Sequence, residues 1–121
     1  MKILLVDDDV FLRDMYAAKF TEQGDVVVGV ESGTQALQAL VSDSFDLVLL
    51  DMVMPGMSGI ELLQKIQATE VQGTPKCIVL SNQSEESDLD NAKNAGAIGY
   101  LVKAELIPSE VVKKVHTLVV K

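Results

Sequence analysis

The chain has 121 residues, 48% of them hydrophobic and 23% charged, with ten basic against eighteen acidic residues and a formal charge of −8. Those proportions describe one folded domain over 1–121 with a sizeable core, and they exclude a disordered or fibrous chain. The acidic balance argues against direct nucleic-acid binding, because a phosphate backbone is gripped by positive surface. A lone cysteine, Cys77, forbids an intrachain disulfide, and no apolar run is long enough to span a membrane, so a cytoplasmic protein is expected.

Lys2–Val6 reads as a strand that runs straight into three carboxylates, Asp7, Asp8 and Asp9. Over 10–23, Leu12, Met15, Tyr16 and Phe20 recur at helical spacing, and Gly24 supplies a left-handed stop, with Asp25 leading out. Val26–Val30 is a second strand. Ser32 and Gln35 form a capping-box pattern for a helix whose inward face is Ala36, Leu37, Leu40 and Val41. Leu47-Val48-Leu49-Leu50-Asp51 is the stretch around which the chain is organised. Its unbroken apolar run, closed by one carboxylate and the loop over 54–58, is the mark of a strand buried on both faces.

Ser58 and Glu61 repeat the capping-box pattern ahead of Leu62, Leu63 and Ile66, and Gly73-Thr74-Pro75 breaks that helix. Cys77-Ile78-Val79-Leu80 is the fourth strand, ending at Ser81. A thinly apolar helix begins at Ser84-Glu85-Glu86, with Leu89, Ala92 and Ala95 as its buried residues. Tyr100-Leu101-Val102 is a short fifth strand ending at Lys103. Pro108 opens the last helix, with Val111, Val112, Val115, Leu118 and Val119 as its stripe and His116 exposed on its polar side. Strands alternating with helices throughout predict an α/β fold: a parallel sheet with helices on both faces.

In such a sheet all strand ends lie on one edge, where ligands bind. Asp7 and Asp8, Asp51, Ser81 and Lys103 therefore come together. Carboxylates this close repel unless a cation joins them, and hard oxygen ligands with room for water and phosphate suit Mg²⁺. A carboxylate so neutralised can attack phosphorus and become an acyl phosphate. Lys103 and the Ser81 hydroxyl are placed to neutralise the transferred group.

Asp7-Asp8, Asp51 followed by Met54-Pro55-Gly56, Ser81, and Gly99-Tyr100-Leu101-Val102-Lys103 together resemble a response-regulator receiver domain of two-component signalling, across the whole chain and in order. The resemblance implies a flavodoxin-like (βα)5 fold with strand order 2-1-3-4-5. It makes Asp51 the acceptor of a phosphoryl group from a sensor histidine kinase or phosphotransfer protein. Asp8, Asp51 and the Val53 backbone carbonyl would hold Mg²⁺, with Asp7 helping through water. Lys103 would contact the phosphoryl group. Ser81 and Tyr100 would be a coupled switch, read at the face of the fourth helix, fifth strand and fifth helix by a target protein or a second copy of the chain. It implies no enzyme beyond a domain that assists its own phosphorylation and slow dephosphorylation.

The chain departs from that pattern in places. Ala104 stands where proline usually follows the lysine through a cis bond. A cis Lys103–Ala104 bond would cost about 2.5–4 kcal/mol, so either the fold overrides that cost or the loop differs. Asn82 replaces a small residue beside the switch hydroxyl and crowds the way in. Val53 and Gln83 hold the positions that tune attack of water, and Val53 can orient none, which predicts slow dephosphorylation. A phosphatase of the haloacid-dehalogenase type would need an aspartate at Val53, and a dinucleotide site would need glycines where Asp7-Asp8-Asp9 stand. The competing reading is a receiver-like module that docks partners without being phosphorylated.

Overall fold

Every residue of β3 (Leu47–Leu50) is buried, as a strand apolar on both faces requires. The computed structural model describes residues 1–69 and 73–120. Its other strands are β1 (Lys2–Val6), β2 (Val26–Val30), β4 (Lys76–Ser81) and β5 (Gly99–Val102), alternating with α1 (Val10–Glu22), α2 (Gly33–Ser42), α3 (Gly59–Ala68), α4 (Glu86–Asn94) and α5 (Pro108–Val119). All four pairings are parallel and the order is β2-β1-β3-β4-β5. The predicted doubly wound topology is the one observed.

Side chains alternate across the sheet, so each strand feeds two cores. Leu4, Val6, Val48, Leu50, Cys77 and Val79 face α2, α3 and α4, where Leu40, Leu62, Leu63 and Ala92 meet them. Ile3, Leu5, Leu47, Leu49, Ile78 and Leu80 face α1 and α5, against Tyr16, Phe20, Val111 and Val115. Burial pushes the Cys77 thiol up to about 11. Because reactivity belongs to the thiolate, Cys77 is expected to resist alkylation at pH 8 in the native protein and to react fully in urea; rapid native labelling would contradict its placement in the core.

Helix starts follow the local chemistry. The Ser32 hydroxyl accepts from the Gln35 N–H at 3.2 Å, and the Ser58 hydroxyl from the Glu61 N–H at 3.2 Å. The reciprocal half of the Ser32 box is redirected, because the Gln35 amide oxygen accepts from the N–H of Glu31 at 3.0 Å. Gly24 takes the left-handed conformation, φ 88°.

Three expectations about exposure fail. Val41 is exposed, since the buried stripe of α2 is centred on Gly33, Ala36 and Leu40 and Val41 lies about 100° round from the last. Leu89 is also exposed, leaving Ala92 as the one fully buried residue of α4. His116 is half-buried, with Nε2 2.6 Å from an oxygen of the buried Asp25, tying α5 to the turn before β2.

Candidate functional site

The carboxyl ends of β1, β3, β4 and β5 gather Asp7, Asp8, Asp51, Ser81 and Lys103 around one open cleft, with Asp9, Val53, Asn82 and Gln83 at its mouth. β3 is the middle strand, so Asp51 has the acidic pair on its β1 side and Ser81 beyond on β4. Behind it the α3 N-terminus packs as closely as backbone allows. A Cβ on Gly59 would stand 2.3 Å from the Asp51 carbonyl oxygen, so only glycine fits there, and the Gly59 N–H donates to the Met52 carbonyl at 2.9 Å. The turn that brings the chain round passes through Gly56 at φ 83°.

Lys103 is the cation of the site. Its ammonium donates to Asp7 Oδ2 at 2.7 Å and to Asp51 Oδ2 at 2.8 Å, with only 8% of its side chain exposed. Burial works against that charge, but the hydrogen bonds it donates to Asp51 and Asp7 outweigh it and hold the lysine above its ordinary range. No cis bond occurs among the described residues. Lys103–Ala104 is trans, and the chain instead turns through a one-turn 3-10 helix, Lys103–Glu105. The loop differs from the pattern, and the lysine still reaches the carboxylates.

One oxygen from each of Asp7, Asp8 and Asp51 lies within 4.8 Å of the others. Three carboxylates against one ammonium leave the cleft two charges short of neutrality. That deficit and an all-oxygen donor set fit a divalent hard cation such as Mg²⁺. Asp7 is buried and fully engaged, since its other oxygen accepts from the Asp9 N–H at 3.0 Å. Asp8 is exposed, and Asp51 is half-buried, its Oδ1 accepting from the Val53 N–H at 3.3 Å.

Ser81 is the last residue of β4 and is buried, its hydroxyl accepting from the Gln83 N–H at 3.3 Å. The Tyr100 hydroxyl donates to the Gln83 carbonyl at 2.7 Å. Both expected switch residues are thus tied to one residue, Gln83, in the loop between β4 and α4. Burial raises the Tyr100 phenol, opposed by the nearby Ser81 hydroxyl.

Sequence reasoning missed Arg13. Its guanidinium Nη1 donates to the Asp7 carbonyl at 2.8 Å. The usable signal was its place one turn into α1, a position from which a long side chain points back toward the strand end.

A flavodoxin-like parallel sheet with an acidic pocket and a lysine on its carboxyl edge defines the class. A family model for the response regulator receiver domain matches residues 3–116. The nitrate/nitrite response regulator protein NarL of Escherichia coli (strain K12) is 37% identical over 116 residues, 94% of this chain and 52% of that protein. Chemotaxis protein CheY of Bacillus subtilis (strain 168) is 36% identical over 103 residues, 84% of each chain. The solved structure of the chemotaxis response regulator CheY4 of Vibrio cholerae matches with a TM-score of 0.88 at 26% identity, over 97% of both chains. The chain belongs to the response regulator receiver domain family of two-component systems. It spans about half the length of NarL and of the transcriptional regulatory protein ResD of Bacillus subtilis (strain 168). Among the described residues no helix is long and apolar enough to cross a membrane.

Proposed function

We propose that Asp51 accepts a phosphoryl group from a phosphohistidine on a sensor kinase or phosphotransfer protein. The observation that carries this is the Lys103 bridge between Asp51 and Asp7 in a cleft that keeps two uncompensated negative charges. An Asp51 oxygen attacks phosphorus, the bond from phosphorus to the donor nitrogen breaks, and an acyl phosphate forms on the side chain. Asp8, Asp51 and the Val53 carbonyl would hold Mg²⁺, with Asp7 contributing through water. When bound, that ion supplies the positive charge that lets carboxylates and phosphoryl oxygens share the site. Lys103 turns its ammonium to the new oxygens, and the Ser81 hydroxyl donates to them.

Swinging Ser81 toward the phosphoryl group frees the Gln83 N–H it now accepts from, and Tyr100 holds the carbonyl of that same residue. Phosphorylation is thereby read out along α4, β5 and α5. Leu89 and Ile98, both exposed, offer apolar footing there for a target or a second copy. Around the cleft, the exposed Val10 and Phe11 at the start of α1 give the phosphodonor a comparable footing. The domain acts on itself and turns over no separate substrate. Its charge of −8 leaves nucleic-acid binding, if the whole protein has it, to another part.

Intact mass after incubation with acetyl phosphate and Mg²⁺ tests the reading. One phosphoryl adduct that EDTA prevents is expected. An unmodified mass under both conditions would leave a module that docks without being phosphorylated. Val53 is 57% exposed at the cleft mouth, and its side chain offers water no hydrogen bond. The adduct should therefore persist for minutes or longer, with Val53→Asn shortening it severalfold; decay within seconds would contradict this.

A further inference from the structure

We infer that Arg13, seated on Gly29, is a positioning residue that fixes the acidic pair for its cation. This rests on the reading of the cleft as a Mg²⁺ site. Asp7 is held at every polar atom. Its N–H donates to the Val30 carbonyl at 3.1 Å, Oδ1 accepts from Asp9, Oδ2 accepts from Lys103, and its carbonyl accepts from Arg13 at 2.8 Å. The first three come from β2, the following turn and the 3-10 turn after β5. The fourth reaches across from α1 and grips the peptide that joins Asp7 to Asp8. Asp8 is exposed and, among the described residues, no side chain anchors it, so the direction of its carboxylate follows from how that peptide is held.

Gly29 is the other half of the device. A glycine in the middle of an otherwise all-valine strand weakens the strand and calls for a reason. A Cβ at Gly29 would stand 3.0 Å from Arg13 Cδ and 3.3 Å from its Cγ and Nε. The arginine stem lies tight against the place a side chain on β2 would take, and this path delivers the guanidinium to Asp7. A valine at position 29 would suit the strand and push the stem aside while removing no charge.

Charge and placement predict opposite signs. A positive group near a cation site repels the cation, so if Arg13 acted only by its field, removing it would tighten Mg²⁺ binding. If it acts by holding the Asp7–Asp8 peptide, removing it loosens the site, by about 10-fold on the scale of outer-shell partners. The test is a calorimetric titration with Mg²⁺ alone on the wild type, Arg13→Ala, Gly29→Val and the double variant, each checked for a cooperative thermal transition. Weaker binding by about 10-fold in both single variants, with the double no worse than either, is the expected result. Unchanged or tighter binding in Arg13→Ala would overturn the inference, as would independent, additive losses in the double variant. If Arg13→Ala does not fold, Gly29→Val alone decides by the same measure. A wild type that binds no Mg²⁺ would overturn the cation reading itself, an outcome distinct from a variant that binds as the wild type does.

Discussion

Asp51→Asn is expected to lower phosphoryl incorporation by at least about 100-fold while leaving the fold intact. The amide oxygen can still accept from the Val53 N–H, but the amide is no nucleophile toward phosphorus. Lys103 keeps Asp7 as its partner, so no buried charge is stranded. Neither neighbouring carboxylate can substitute for the lost one. Asp7 is buried with both oxygens engaged, and Asp8 is exposed past the end of β1, one strand farther from Ser81 than Asp51 in the sheet order. Thermal unfolding beside intact-mass labelling separates the two effects: an unchanged transition with no adduct is predicted, and an adduct of undiminished yield would move the acceptor elsewhere.

Lys103→Met should be the most damaging change at the site for stability. It leaves the buried Asp7 carboxylate and the half-buried Asp51 with no cation between them. Stranding a buried charge in this way costs about 3 kcal/mol. The loss should be largest in EDTA and shrink as Mg²⁺ is added, because a ligand that binds only the native state stabilises it by mass action. The pH dependence has a definite sign. The lysine's folded-state value is raised, so its contribution is complete below the ordinary lysine range, about 10.4, and fades as pH climbs through the elevated value. Urea unfolding of both proteins should therefore differ by a constant amount from neutral pH up to about 10 and converge above it. A variant as stable as the wild type in EDTA would mean that Lys103 does not neutralise the pair.

The fold was legible because its signals are local and mutually consistent. Two-sided burial writes unbroken apolar runs into β1, β3 and β4, and serine caps announce α2 and α3 where they begin. The site was legible for the same reason, since a parallel sheet delivers every strand end to one edge, whatever the loops do. What escaped notice depends on pairings between distant parts of the chain. Arg13 is recognised only once α1 is laid across Gly29, and the Asp25–His116 pair spans 91 positions. Val41 and Leu89 misled because helical spacing gives the angle of a residue but not whether another element covers that angle. The trans geometry after Lys103 was open for a related reason: the sequence shows which residue follows the lysine but not the path of the loop that replaces the usual one.

The most direct test of Asp51 as the phosphoacceptor is to trap the adduct. Protein treated with acetyl phosphate and Mg²⁺ is reduced with borohydride, which converts an acyl phosphate to the alcohol, and the reduced residue is located by peptide mass spectrometry. A single reduced site at Asp51 is expected, absent when EDTA replaces Mg²⁺. Reduction at Asp7 or Asp8, or a phosphoryl group left intact on Ser81 or His116, would contradict it.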